Sequence, residues 1–423
     1  MDQREESLTK DFYATSLKTQ KLARSQILAY QRKLLEKLVR HARTNVPFYA
    51  SGRLAPLFNK SDEVDWSRWR EIEPLSRQSA RDHEDELLAR SVPQEMLPLE
   101  TDMTSGSTGT PLKIRRSMLS RVISRALLAR AIQWHDKHAP GRIALVRHMK
   151  DQISTLRSGG TYIIPSHLPS PEQLRMLAEI KPTHLVSYPN ILAGWLEHGD
   201  MAPFADLRVA IMTGEQLSLE LRERIARKFT GRIVNSYATT ETGPIAYEDA
   251  SGTLRVCEEN LFLENGAEAA GAARAALITP FYSYAMPLIR YSPGDFIVFD
   301  ESPSVSDEAL RPLQSVIGRS RNLLRSPSGF MFFASISAKQ LAPILDYRDW
   351  QIEQMSATEA EFRVVCAAPP TPDQKRRLIE EVESVLHGLK VSILEVSAIP
   401  RHPGKTFESA FRNPRVDDPN GRF

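Results

Sequence analysis

The chain has 423 residues, 41% of them apolar and 25% charged, a composition typical of soluble globular proteins and a length that calls for two or three domains. Subtracting 52 acidic from 55 basic residues leaves +3, too little for a nucleic-acid footprint unless the charge is clustered, and two distant cysteines exclude a disulfide framework or a Cys-x-x-Cys centre. No window approaches the ~18 consecutive apolar residues of a membrane span. The charged start, Met1-Asp-Gln-Arg-Glu-Glu-Ser7, has no apolar stretch behind it, so a cytoplasmic protein is expected, without membrane or nucleic-acid partners.

From Leu17 to Thr44 apolar residues recur at helical spacing among many Lys and Arg, which predicts an N-terminal helical region ending before Asn45-Val-Pro47. Thr104-Ser-Gly-Ser-Thr-Gly-Thr-Pro111 follows. Gly106 and Gly109 let the backbone approach a ligand closely, while Thr104, Ser105, Ser107 and Thr108 supply hydroxyls, so the run reads either as a phosphate cradle or as a flexible surface loop. It is not a Walker loop, because no Lys-Ser or Lys-Thr follows the second glycine.

Beyond it Ser117 to His135 predicts a long helix, in which Arg121, Arg125 and Arg130, with Arg115 and Arg116 just before, read as a solvated face. His135-Asp-Lys-His138 is explained by a polar helix end before Pro140-Gly141, without a metal. Short strands at Ile143–Val146, His184–Ser187, Val209–Met212 and Arg232–Asn235 alternate with helices at Pro171–Ile180 and Leu217–Phe229, an α/β pattern. Strands at Ala276–Thr279 and Phe296–Phe299 then open a β-rich subdomain, Asp300 to Pro312 reads as a surface loop, and Glu361–Ala367, Pro372–His387 and Val391–Val396 read as strand, helix and strand of a small C-terminal domain.

Four later segments could join the glycine run. Asn235-Ser-Tyr-Ala-Thr-Thr-Glu241 ends in a carboxylate that either caps a helix or holds Mg²⁺ on nucleotide phosphates. Asp295, after Pro293-Gly294, either sits in a type II turn or accepts hydrogen bonds from ribose hydroxyls. Gly318-Arg319 follows, and Pro400-Arg-His-Pro-Gly-Lys405 is either a solvated tail or a loop carrying a reactive cation.

Together and in this order the segments resemble the signature set of the adenylate-forming superfamily. Within it the chain is most similar to the phenylacetate-CoA ligase family, including its coenzyme F390 synthetase and capsule-biosynthesis relatives, through Val39-Arg-His-Ala-Arg-Thr-Asn-Val-Pro-Phe-Tyr49, Ala285-Met-Pro-Leu-Ile-Arg-Tyr291 and the Lys405 loop. The resemblance implies an α/β fold in two parts: a large multi-layer N-terminal adenylation core with a β-rich subdomain, residues 1–321, and a small mobile α+β lid, residues 322–423. It implies that Thr104, Ser105, Gly106, Ser107, Thr108 and Gly109 hold the terminal phosphates of ATP, with Thr240 also at the nucleotide. Glu241 would hold Mg²⁺, Asp295 the ribose and Arg319 the ribose or a phosphate. Tyr237 would flank the adenine, and Lys405 would reach the forming acyl-phosphate bond.

Two positions depart from the family pattern: Ala238 stands where a glycine is usual, and Asn322 where the hinge has an aspartate. Lys113 lies one residue beyond its place in the wider motif and is given no role. The resemblance implies a ligase that activates a small or aromatic carboxylic acid with ATP and Mg²⁺ and passes the acyl group to coenzyme A, and it allows a dimer. Loading of a carrier-protein thiol or an amine is the alternative; a degenerate nucleotide-binding homologue is the second.

Overall fold

A computed structural model describes residues 3–104, 112–138, 141–147, 157–158, 160–200, 202–217, 219–270, 273–301, 310–319, 322–334, 336, 338–366, 368–399 and 410–412. Its centre is one long sheet. The strands Thr161–Pro165, Ile143–Arg147, His184–Ser187, Val209–Met212 and Arg232–Thr239 lie side by side in that order, all parallel. The chain then folds back through Gly243–Glu248, and Leu254–Val256, Pro312–Arg319, Asp295–Phe299 and Ala273–Pro280 continue the sheet antiparallel.

The inner parallel strand Val209–Met212 is short and apolar because both its faces are covered. Side chains alternate across a strand, so in Val209-Ala-Ile-Met212 the second and fourth residues join the cluster under Leu177, Trp195 and Phe229, while Val209 and Ile211 join the one over Ile123 and Leu127. The helices Ser170–Ile180, Pro189–Glu197 and Leu219–Ala226 lie between successive strands, and the Met118–His135 helix, capped by the Ser117 hydroxyl on the Ser120 amide at 3.2 Å, covers the other face. A separate apolar cluster, with Leu324, Phe362 and Leu378 at its heart, joins the four-stranded sheet of Tyr347–Gln354, Glu359–Cys366, Lys390–Glu395 and Ala410–Arg412 to the Pro372–Ser384 helix. That helix starts with a capping box between Thr371 and Gln374.

Three expectations are corrected. The N-terminal helical region is two helices, Gln3–Thr19 and Arg24–Asn45, with turns between them. The first lies along the Met118–His135 helix: Glu5 accepts from Arg121 and Arg125, Phe12 meets Tyr282 edge-on, and Gln20 accepts from the Trp134 indole at 2.9 Å. The second must turn away to bury Leu35, Leu38 and Val39 against Phe281 and Leu288. The β-rich part begins at Gly243–Glu248, earlier than expected, since Gly243 has φ +75° and reverses the chain.

The arginine face is solvated only in part. Arg115 and Arg116 belong to the strand Lys113–Ser117, and Arg130 is fully buried, paired with the equally buried Glu259 and lying over Trp134. Burial pushes the Glu259 carboxyl up while Arg130 pulls it down. A guanidinium is tolerated here because a carboxylate meets it; either one alone would be an unpaired buried charge. Arg130→Met should therefore lower the unfolding free energy by about 3–5 kcal/mol in urea titrations, and adding Glu259→Leu should recover most of that loss. A double variant as unstable as the single would refute the pairing account.

Candidate active site

The strand Arg232–Thr239 ends the parallel set, and its carboxyl end is where open α/β sheets bind ligands. The turn that follows is built locally. Thr239 accepts from the Thr242 amide at 3.1 Å and its hydroxyl meets that of Thr242 at 2.9 Å, which fixes a tight bend with half-buried Thr240 and buried Glu241 in it. Glu241 thus sits in a strand-to-strand turn rather than capping a helix.

Glu241 Oε1 accepts the Tyr291 hydroxyl at 3.0 Å and lies 3.6 Å from the Arg77 guanidinium. Burial, reinforced by the neighbouring Glu241 charge, holds the Tyr291 phenol far above its ordinary range, so it stays a neutral donor. The Glu241 side chain is only 5% exposed, yet its second oxygen takes no hydrogen bond among the described residues. Magnesium is commonly held by one or two carboxylates with phosphates and water completing the shell, and this single carboxylate with one oxygen left over fits that pattern.

Asp295 stands on the next turn. Pro293-Gly294, with φ +87° at the glycine, bends the chain between Tyr291–Ser292 and Asp295–Phe299. The buried Asp295 carboxylate accepts the Tyr237 hydroxyl at 2.8 Å, so two residues expected at the nucleotide touch each other. The Arg319 backbone lies in register opposite Asp295.

The exits of the glycine run reach the same place. The Thr104 amide donates to the Leu112 carbonyl at 3.0 Å and the Thr104 hydroxyl accepts from the Leu112 amide at 2.9 Å, closing the neck of the run. On the strand beyond, Arg116 approaches within 3.1 Å of the space a Gly243 side chain would fill. Between Arg116, Ser124, Glu241, Asn260 and Tyr282 lies a polar cavity of about 20 Å³, room for water and not for a nucleotide. Ser105, Gly106, Ser107, Thr108, Gly109 and Lys405 lie outside the described residues, as does the side chain of Arg319.

At the carboxyl ends of the neighbouring strands, Asn190 donates to Glu215 at 2.8 Å and Tyr188 packs on Gly214, where an added Cβ would come within 2.7 Å of the ring. Lys113 pairs with Glu84, whose carboxylate also accepts the Lys113 amide at 3.0 Å, a structural use for a residue given no role. Sequence reading missed Arg77 and Tyr291. Ser76 caps the short helix on the Ser79 amide, and no periodicity reveals that Leu75–Ser76 pairs in parallel with Tyr291–Ser292.

Residues 73–259 match the model of the AMP-binding enzyme family. Two curated proteins named N-(5-amino-5-carboxypentanoyl)-L-cysteinyl-D-valine synthase, from Amycolatopsis lactamdurans and Streptomyces clavuligerus, are each 29% identical over 150 residues, 33% of this chain. The match spans only 4% of the first and 18% of the second. Among solved structures, a 2-hydroxyisobutyryl-CoA ligase in the postadenylation state with R3-HIB-AMP superposes with a TM-score of 0.71 at 16% identity over 94% of this chain and 91% of that one. The same ligase with 2-HIB-AMP and CoA in the thioesterification state gives 0.57 at 17% identity over 93% and 91%. ATP-bound MatB from Rhodopseudomonas palustris gives 0.53 at 12% identity over 72% and 65%. The chain thus matches the AMP-binding enzyme family over residues 73–259 and shares the fold of these ligase structures.

Proposed function

We propose that the protein is an AMP-forming ligase that joins a small or aromatic carboxylic acid to AMP and passes the acyl group to the thiol of coenzyme A. The observation that carries this reading is the pair of buried carboxylates, Glu241 and Asp295, each held by a tyrosine hydroxyl where the parallel strands end and the glycine-run strand returns. An acid-binding pocket would lie at Tyr188, Asn190 and Gly214, beside the same strand ends.

The chemistry asks for few groups. A carboxylate approaching the α-phosphate brings two anions together, so a cation must offset their repulsion and stabilise charge on the non-bridging oxygens. Lys405 takes that part, carried by the small C-terminal domain, which acts as the lid from residue 322 onward. Asp295 accepts from the ribose hydroxyls and Tyr237 braces it at the adenine side. Thr104 and the glycine run bind the phosphates, and Glu241 would hold Mg²⁺, which supplies charge neutralisation on the polyphosphate. Arg319, whose backbone lies opposite Asp295 in the sheet, would meet the ribose or a phosphate.

Coenzyme A as acceptor draws support from the solved ligase, whose two states are named for adenylate and for thioester formation. A lid that exchanges position between half-reactions would let the thiol enter where the lysine had been. The two synthase relatives support a second acceptor, a carrier-protein thiol or an amine.

Pyrophosphate release from ATP and Mg²⁺ across aryl, arylacetic, amino and short aliphatic acids, with and without coenzyme A, tests the reading. Acid-dependent release stimulated by coenzyme A is expected; release without stimulation would transfer the assignment to the second acceptor, and none with any acid would overturn the ligase. Lys405→Ala should slow adenylation by about 10²–10³ while ATP affinity holds, and equal rates in variant and parent would remove the lysine from the mechanism. Glu241→Gln should weaken Mg²⁺-dependent ATP use, seen as a rise in the Mg²⁺ concentration needed for half-maximal turnover.

A further inference from the structure

Arg77 is the side chain whose surroundings leave the most unexplained. It is 14% exposed, lies 3.6 Å from Glu241, and makes no hydrogen bond among the described residues. A guanidinium carries five N–H donors in a fixed fork; here Nη2 faces Glu241 at 3.6 Å while the buried Nε meets no acceptor among the described residues, so the fork keeps donors for a visitor rich in acceptor oxygens. Arg81, one turn further along the short helix Arg77–Asp82, likewise has a buried Nε that meets no acceptor among the described residues.

The placement is not incidental. Arg290, in the left-handed region at φ +51°, donates from Nη1 to the carbonyls of Arg70 and Ile72, and its amide donates to the Thr279 hydroxyl. This cross-link holds the incoming segment so that the Leu75 amide meets the Arg290 carbonyl and Leu75–Ser76 pairs with Tyr291–Ser292. Arg77 then emerges beside Tyr291 and Glu241. A few residues on, Glu84 grips Lys113 at the exit of the glycine run. The same segment therefore borders both the carboxylate and the mouth of the run.

We propose that Arg77 grips the terminal phosphates of bound ATP, and the pyrophosphate formed from them, with Glu241 steering its guanidinium. The proposal rests on the ligase reading above. In the adenylation step a carboxylate oxygen of the acid forms a bond to the α-phosphorus as the bond to the bridging β-oxygen breaks; pyrophosphate leaves with that electron pair and no proton changes hands. Negative charge accumulates on the leaving group, where a bidentate guanidinium is most effective. Glu241 would serve two ends: Oε1 meets both the arginine and the tyrosine hydroxyl, and the other oxygen would be left for Mg²⁺.

Binding of three probes to the full chain separates the possibilities: ATP with Mg²⁺, AMP, and inorganic pyrophosphate with Mg²⁺, measured by calorimetry for the parent, Arg77→Gln and Arg77→Lys. Arg77→Gln is expected to lose about tenfold or more in affinity for ATP and pyrophosphate while binding AMP as the parent does, the scale of one charged hydrogen-bonding group. Arg77→Lys, which keeps the charge and loses the fork, should fall between them for pyrophosphate. Equal pyrophosphate and ATP affinities in Arg77→Gln and parent would overturn the role, and so would a parallel loss of AMP affinity, which would mark a merely structural arginine. A parent that binds none of the three would instead bring down the ligase reading itself.

Discussion

The architecture turns on one strand. Arg232–Thr239 has a parallel neighbour, Val209–Met212, on one side and an antiparallel one, Gly243–Glu248, on the other. A strand in that position must end at the ligand-binding edge of the parallel set and reverse at once to start the antiparallel set, so its closing turn is forced to be tight, polar and close to whatever binds there. Thr239 and Thr242 satisfy each other inside the turn, and Gly243 supplies the positive φ that an L-residue would resist. Glu241 is buried as a consequence of the seam rather than of any local preference for burial, and the hydroxyl of Tyr291 and the guanidinium of Arg77 are the compensation that makes a buried carboxylate tolerable.

Much of the fold was legible because both of its strong signals are periodic. The run Val209–Met212 is apolar at every position, and this is how a strand covered on two faces must look. Helices were legible where a hydroxyl cap preceded an amphipathic stretch, as at Ser117 and Thr371. What stayed hidden was structure stabilised by polar pairing. The hairpin Leu99–Met103 with Lys113–Ser117 has Glu, Thr, Asp, Lys and Arg along it, tied by Arg116 to Asp102 and Arg115 to Thr101. Tyr347–Gln354 buries Gln351, Glu353 and Gln354, with Arg363 from the adjacent strand reaching both Gln351 and Glu353. No hydropathy pattern announces such strands.

The site divides along the same line. Glu241 and Asp295 were singled out as carboxylates on short runs, Tyr237 through the family resemblance, and the chain does bring Tyr237 and Asp295 into contact. Arg77 and Tyr291 depend on a parallel pairing between segments more than two hundred residues apart, which one sequence does not display. Arg130 makes the opposite case: its spacing placed it on a solvated face, and only the buried Glu259, far along the chain, explains why the face turned inward. Charge in this protein is placed by partners distant in sequence, and so a charge pattern read along one helix misjudged it.

The two departures from the family pattern can be weighed by what the backbone asks of them. Ala238 lies within the Arg232–Thr239 strand, opposite Pro244, and is not among the residues of positive φ, so its methyl group fits without strain and changes only the space beside the turn. Pro244 has no amide to donate, so the hairpin gives up a ladder bond there whichever small residue faces it. Gly318 is different. Its φ of +96° calls for glycine, and a side chain on it would stand 3.1 Å from the Asn322 amide, so asparagine folds back over the bare glycine. An amide there can donate where a carboxylate only accepts, while the glycine beneath it is kept. Ala238 fits its strand without strain and Gly318 is kept, so neither departure by itself obliges the loss of turnover that a degenerate homologue would require.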